Sequence, residues 1–311
     1  MPIRIAHPGE LPSLVEHIGR PERNAGTAAY LTDLLEKKCT RPEWCLVAED
    51  ADGRLTAATA LWTMPGNDVP MALVLLEAPW DEPGLSTGRA LLDEAVALGR
   101  SLGATELGHV VDSPAQAPQF QTDPERRAEL LRLAGFDLAR DGRRFRRAVG
   151  DELSAYDARL TWRALPDVGR EPFLALLAEA LPTSADSHFS ALIAREGARA
   201  AAESVFEDME GFAYEPHWWE IGYAPDGTPA ALSLPARNPG AAVIGLVAVA
   251  PACRGNGYAT AVVARGTRLL TEAGAEEIRG DCDAANTAMI KAFERAGYEN
   301  FADRQEFARR L

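Results

Sequence analysis

Cysteine is scarce in this sequence: four residues in 311, at Cys39, Cys45, Cys253 and Cys282. None forms a CxxC pair and no histidine stands near them at metal-ligand spacing, which excludes a disulfide framework and a zinc site. They read as free thiols. Long apolar runs are missing too. None approaches the roughly 20 residues of a bilayer-spanning helix, and Met1-Pro2-Ile3-Arg4-Ile5 reads as the start of a strand, without a signal-peptide core. Positive charge is the third deficit: 32 Lys and Arg face 46 Asp and Glu, a formal net charge of −14. Nonspecific nucleic-acid binding needs a basic surface to displace counterions, so nucleic acid is not an expected partner, and neither is a membrane. The expectation is a soluble, cytoplasmic protein with no metal, monomeric or homodimeric.

What is present is enough apolar material for more than one core. Hydrophobic residues make up 47% of the chain and charged residues 25%, and the length suits two domains of about 150 residues each. The chain also repeats its own order. In the second half, Leu246-Val247-Ala248-Val249 reads as a strand, Arg254-Gly255-Asn256-Gly257 as a turn and Ala259 to Ala273 as a helix that Gly274 stops. In the first half, Ala72 to Leu76 reads as a strand, Gly84-Leu85-Ser86-Thr87-Gly88 as a turn and Arg89 to Leu102 as a helix that Gly103 stops. An offset of 171 superposes Gly103 on Gly274 and Gly84 on Gly255 without a gap. Both halves close with an apolar helix, a Gly-aromatic step (Gly135-Phe136, Gly297-Tyr298) and a last strand. Asp52-Gly53 and Asp226-Gly227 mark hairpin turns between matching early strands. The reading is α/β: two tandem domains, 1–150 and 151–311, divided near Val149 to Leu153, each a twisted, mostly antiparallel mixed sheet flanked by helices.

The strand–turn–helix at 246–270 suits an anion. Backbone N–H groups of a glycine turn that opens a helix converge on one concavity, with the positive end of the helix dipole behind them. Gly255 and Gly257 let the backbone approach closely, and Arg254 adds charge. A dinucleotide loop would instead follow the first strand, with a third glycine and an acid about 20 residues on; neither is here.

The segment resembles the acyl-CoA loop of the GCN5-related N-acetyltransferase (GNAT) superfamily, pattern Gln/Arg-x-x-Gly-x-Gly/Ala, with Arg254, Gly257 and Ala259 on the fixed positions. Val249-Ala250-Pro251 is similar to the family's strand exit, and Asn286, Phe293 and Gly297-Tyr298 to its downstream signature. The resemblance is strong over 243–300, reasonable over 160–311 and weak in the first half. It implies acetyl-CoA or another acyl-CoA as co-substrate, held by Val247, Ala248, Val249, Arg254, Gly255, Asn256, Gly257, Tyr258, Ala259, Thr260, Asn286 and Phe293. It also implies direct transfer to a primary amine of a small molecule, with the Val249 backbone N–H as oxyanion donor.

One departure concerns the acid: phenylalanine stands at Phe293, where relatives often carry a tyrosine that protonates the leaving thiolate. Tyr298 and Tyr258 read as packing or loop residues. The 242–247 strand carries no base. Glu220, Asp281, Asp283 and His217 are the candidates, each with a structural alternative as surface, cap or loop residue. His217, Trp218 and Trp219 are candidates for gripping the acceptor, and Glu207, Asp208 and Glu210 for meeting an ammonium group. The run Arg143 to Arg147 suits an edge strand with charged outer positions.

The first half has lost the motif. Pro83 and Ser86 stand where Arg254 and Gly257 stand, Asp81 and Glu82 place negative charge where phosphates would sit, and an insertion lies within Ser113 to Arg127. It reads as degenerate and non-catalytic. Tandem acetyltransferases of the mycothiol synthase type are a subfamily alternative, on the run Asp281 to Asn286. The rivals from other classes are a silent acyl-CoA-binding or regulatory module and a structural partner protein.

Overall fold

The computed structural model describes residues 2–11, 14, 21–148, 150, 158–238 and 240–311. The boundary expected near Val149 to Leu153 falls on residues outside that set, apart from Gly150. The chain divides into two compact units: unit 1 is Met1–Ala139 with Arg304–Leu311, and unit 2 is Arg140–Asp303. Each unit thus takes its closing strand from the other half of the chain. No helix among the described residues is long and apolar enough to cross a membrane.

Unit 1 runs β1 (Ile3–Ile5), α1 (Pro21–Glu36), β2 (Cys45–Glu49), β3 (Leu55–Trp62), β4 (Ala72–Glu77), α2 (Glu82–Ser101), β5 (Glu106–Ser113) and α3 (Pro124–Leu133). The strands lie in sequence order, and the chain's last strand follows β5. Phe307 on that last strand is buried in the same core as Leu91, Leu107, Leu130 and Phe136. The turn expected at Gly84–Gly88 is instead helical. Asp81 caps α2, its carboxylate accepting from the Gly84 N–H at 2.8 Å, so the helix starts at Glu82, about two turns before Arg89.

Unit 2 holds most of β6 (Asp137–Ala148), then β7 (Thr161–Ala164), α4 (Glu171–Ala180), α5 (Ser187–Glu196), α6 (Ala198–Glu210), β8 (Glu220–Tyr223), β9 (Pro229–Asn238), β10 (Ala241–Val249), α7 (Tyr258–Glu272), β11 (Glu277–Asp283), α8 (Thr287–Arg295) and the start of β12 (Glu299–Arg310). Its sheet order is β12-β6-β11-β10-β9-β8-β7. The arginine-rich β6 is therefore not an edge strand: its second part pairs with β11, from Gly142↔Asp283 to Ala148↔Glu277. Alternation explains its composition. Phe145 points into the core and stacks on Phe293 with ring centroids 4.9 Å apart, while Arg144 and Arg146 point outward over the Phe301 ring.

Local signals act as physics requires. The hairpin glycines Gly53 and Gly227 adopt φ +76 and +85, and the helix-stopping Gly103 and Gly274 adopt +89 and +79, values that cost an L side chain but not glycine. On α7 the buried residues Tyr258, Ala261, Val262, Gly266 and Leu270 recur at three- and four-residue spacing, one face of a helix laid on the sheet.

In both units one pair of neighbouring parallel strands separates. In unit 2, β10 and β11 pair at Ala242↔Ile278 and Val243↔Arg279. Beyond that β10 stays with β9 as far as Val249↔Ala231, and β11 stays with β6. A bulge at Gly245 starts the divergence. A side chain there would put a Cβ 2.3 Å from Met209 Cε and 3.0 Å from the Leu234 carbonyl oxygen, so the Met209 side chain would have to move aside. In unit 1 the equivalent β4 and β5 pair at Ala72↔Gly108 and then part.

Candidate acyl-CoA site

The wedge between β10 and β11 opens into a cavity of about 490 Å³ within unit 2. One wall is Val247, Ala248 and Val249. Ala250 donates to the Ala230 carbonyl at 2.9 Å, which fixes the phase of the β9–β10 ladder. Antiparallel pairs alternate between bonded and non-bonded, so the N–H groups of Val247 and Val249 point away from β9, into the wedge.

The second wall is the turn into α7: Cys253, Arg254, Gly255, Gly257, Tyr258, Ala259 and Thr260 all line the cavity. Gly257 is the N-cap at φ +79 and ψ 9, with no side chain capping the helix. The first intrahelical bond is Ala261 N–H to Gly257 O at 3.3 Å, so the amides of Tyr258, Ala259 and Thr260 precede the ladder and keep their donors for a ligand. Asn256 lies in the turn outside the lining, its Nδ2 bonded to Cys253 O at 3.0 Å. The Arg254 guanidinium donates to the carbonyls of Thr183 at 2.9 Å and Ala180 at 3.0 Å. It braces the end of α4 against the turn and keeps its charge beside the cavity. Arg159 stands over the Tyr258 ring, 5.2 Å from its centroid.

The third wall is α8. Asn286 caps it, Oδ1 accepting from Met289 N–H at 3.1 Å, and Thr287, Ala288, Met289, Lys291, Ala292 and Arg295 follow along the lining. Asp and Glu are absent from the lining, while Arg254, Lys291 and Arg295 are in it. Lys291, Arg295 and Cys253 belong to no part of the glycine-turn motif, yet all three line the cavity. Two cations four residues apart on one helix face were the available signal.

The remaining candidates sit elsewhere. Phe293 is core, packed between Phe145 and Tyr298; Gly280 makes room for it, since a Cβ there would fall 2.5 Å from its Cζ. Tyr298 is buried, its hydroxyl 2.6 Å from Thr267 Oγ1, and burial holds its phenol well above the usual range. Glu220 is buried and both its oxygens are taken by Arg265, at 2.6 and 2.8 Å. Asp283 accepts from Ser187 Oγ at 2.8 Å and from Ala285 N–H at 2.8 Å. Burial works to raise its pKa, but these bonds outweigh it and hold the carboxyl below its ordinary value. Asp281 pairs with Arg140 at 3.4 Å. Trp219 is buried between Tyr214 and Phe206, its indole N–H bonded to Pro235 O at 3.0 Å. Trp218 is also buried and His217 is exposed. Glu207 and Glu210 pair with Arg170.

Unit 1 fills the matching wedge with its own side chains. His109 donates from Nδ1 to the Leu73 carbonyl at 2.9 Å and accepts at Nε2 from Gln121 at 3.0 Å. Gln119 Oε1 accepts from the Leu75 N–H at 2.8 Å, and fully buried Arg127 bonds to Leu76 O and Glu77. Leu75 sits at φ +53, a costly conformation for leucine that Gln119 holds in place.

Compared with known proteins, residues 188–298, a stretch within unit 2, match the model of the Acetyltransferase (GNAT) family. The fold is similar over nearly the whole chain to a GCN5-related N-acetyltransferase from Sphaerobacter thermophilus: TM-score 0.59, 17% identity, 99% of this chain and 95% of that one. A glucosamine N-acetyltransferase region of a fungal multi-domain beta-N-acetylglucosaminidase aligns at TM-score 0.55 and 14% identity, over 98% of this chain and 38% of that one. At such identities the likeness is one of fold, and it extends over both units. No curated protein matches by sequence.

Proposed function

We propose that unit 2 transfers an acetyl or other acyl group from its CoA thioester to the primary amine of a small molecule by direct attack, and that unit 1 is non-catalytic. The carrying observation is the cavity lining: three cations and no acid in a chain of net charge −14, beside helix amides that keep their donors. Fixed dipoles and cations of this kind suit a ligand that carries several phosphate groups. Acetyl-CoA supplies the activated thioester. The amides of Tyr258, Ala259 and Thr260 would hold its diphosphate, and Asn286 with Thr287 and Met289 at the start of α8 would flank its pantetheine arm. The N–H of Val249, or of Val247, would stabilise negative charge on the carbonyl oxygen as the amine attacks.

Cys253 is the thiol in the lining. Burial, with Asp226 and Glu179, pushes its pKa up and keeps it protonated near neutrality, which favours direct attack over a cysteinyl intermediate. A CoA thiol of pKa roughly 8.5 leaves tolerably without an acid, so Phe293 does not preclude turnover.

Calorimetric titration with acetyl-CoA tests the reading. About one equivalent per chain supports it, two would bring unit 1 back as a site, and no binding at millimolar ligand would sink it. A second reading, a silent acyl-CoA-binding module, draws on the same Phe293 and on a lining without a carboxylate base. Release of free CoA thiol on adding amines separates the two.

A further inference from the structure

We infer that Lys291 and Arg295 form a second anionic subsite, which takes the 3′-phosphate of CoA and makes the protein select CoA over its dephosphorylated form. The inference rests on the acyl-CoA reading above. CoA carries two separate anionic centres, a diphosphate and a phosphomonoester, and the cavity presents two separate cationic poles. The first is the α7 N-terminus, with Arg254 beside it. The second is on a different helix: Lys291 and Arg295 are both exposed and both line the cavity.

Their placement has a cost unless an anion answers it. Like charges four residues apart on a helix repel. Among the described residues neither is ion-paired, although many arginines are, from Arg140 and Arg143 to Arg199 and Arg265. Glu294, the acid on the same helix, lies outside the lining. A dianionic phosphate between two such cations turns the repulsion into charge-assisted hydrogen bonds.

The experiment is calorimetry of the full chain with CoA and with dephospho-CoA, for the wild type and for the Lys291→Ala, Arg295→Ala double variant. Both positions are exposed and alanine favours helix, so far-ultraviolet circular dichroism should be unchanged. The wild type should bind CoA at least about tenfold more tightly than dephospho-CoA, the value of roughly one charged hydrogen bond. The double variant should bring the ratio close to one and leave dephospho-CoA affinity intact. Equal losses for both ligands would move the pair to the diphosphate and overturn the inference. A wild type that binds both equally would overturn it alone, whereas a wild type that binds neither, nor acetyl-CoA, would overturn the acyl-CoA reading beneath it.

Discussion

The two units meet the same local problem in opposite ways. Each has a strand, a turn and a helix whose first amides need acceptors. In unit 1 the chain supplies them itself: the Asp81 carboxylate takes the Gly84 N–H, where a phosphate would otherwise be received. In unit 2 Gly257 caps α7 with no side chain at all, and the donors remain for a ligand. The wedges differ alike. Around β4, His109, Gln119 and Arg127 satisfy the groups of Leu73, Leu75 and Leu76; the wedge beside β10 is a cavity. The fold alone therefore does not make a site. Leaving backbone groups unanswered does, and answering them internally turns the same architecture into a structural element.

If the contrast is right, polar residues of the unit 1 wedge should register in stability and those of unit 2 in ligand binding. The largest effect expected is from Arg127→Ala. Removing a fully buried cation strands Glu77 and two carbonyls, so urea denaturation should show a loss of about 3–5 kcal/mol, with acetyl-CoA affinity of the surviving folded protein little changed. A large loss of affinity at constant stability would break the comparison.

The next is set by pH. Burial pushes the His109 imidazole down to about 4 from 6.5. The unfolded chain then binds the proton more readily than the folded one, so the contribution of His109 is complete above about pH 6.5 and is lost as pH falls towards 4. At most about 3 kcal/mol is involved. A His109→Gln variant should show a flatter stability profile between these limits, and an unchanged profile would argue that His109 is not held neutral.

Gly257→Glu should weaken acetyl-CoA binding by at least about 100-fold, since it forces a side chain into φ +79 and places a carboxylate where the diphosphate is proposed to lie. Its counterpart Ser86→Glu, on the exposed face of α2, should change binding within error. Comparable losses from the two would put the working site in the wrong unit. Between them lies Asn286→Ala, which removes the cap of α8: about 1 kcal/mol of stability should go, with a modest weakening of binding as the helix start loosens.

Much of this was legible locally. The Gly255-Asn256-Gly257 turn between an apolar strand and an amphipathic helix, the DG hairpins and the helix-stopping glycines each encode their geometry within a few residues. Even the deficit of unit 1 was visible, in Asp81 and Glu82. The rest depends on partners far away in the chain. Nothing near Glu220 announces Arg265, 45 residues on; nothing near Arg254 announces the carbonyl of Ala180. Phe293 is pattern-compatible with a cavity residue until Phe145 and Gly280 enclose it.

The class of fold, the repeat and the place of the glycine loop are written locally in the chain, because strand periodicity, turn chemistry and helix stops are short-range properties. Which strand closes which unit follows from packing alone, because Phe145 and Phe307 satisfy the same alternating pattern and only the core each one fills distinguishes them. The tertiary structure likewise decided that the cations of α8 face the cavity and that the acids once candidates for the base are engaged by Arg265, Ser187 and Arg140. Charge acts through space, and the chain's own order does not say what a charge will face.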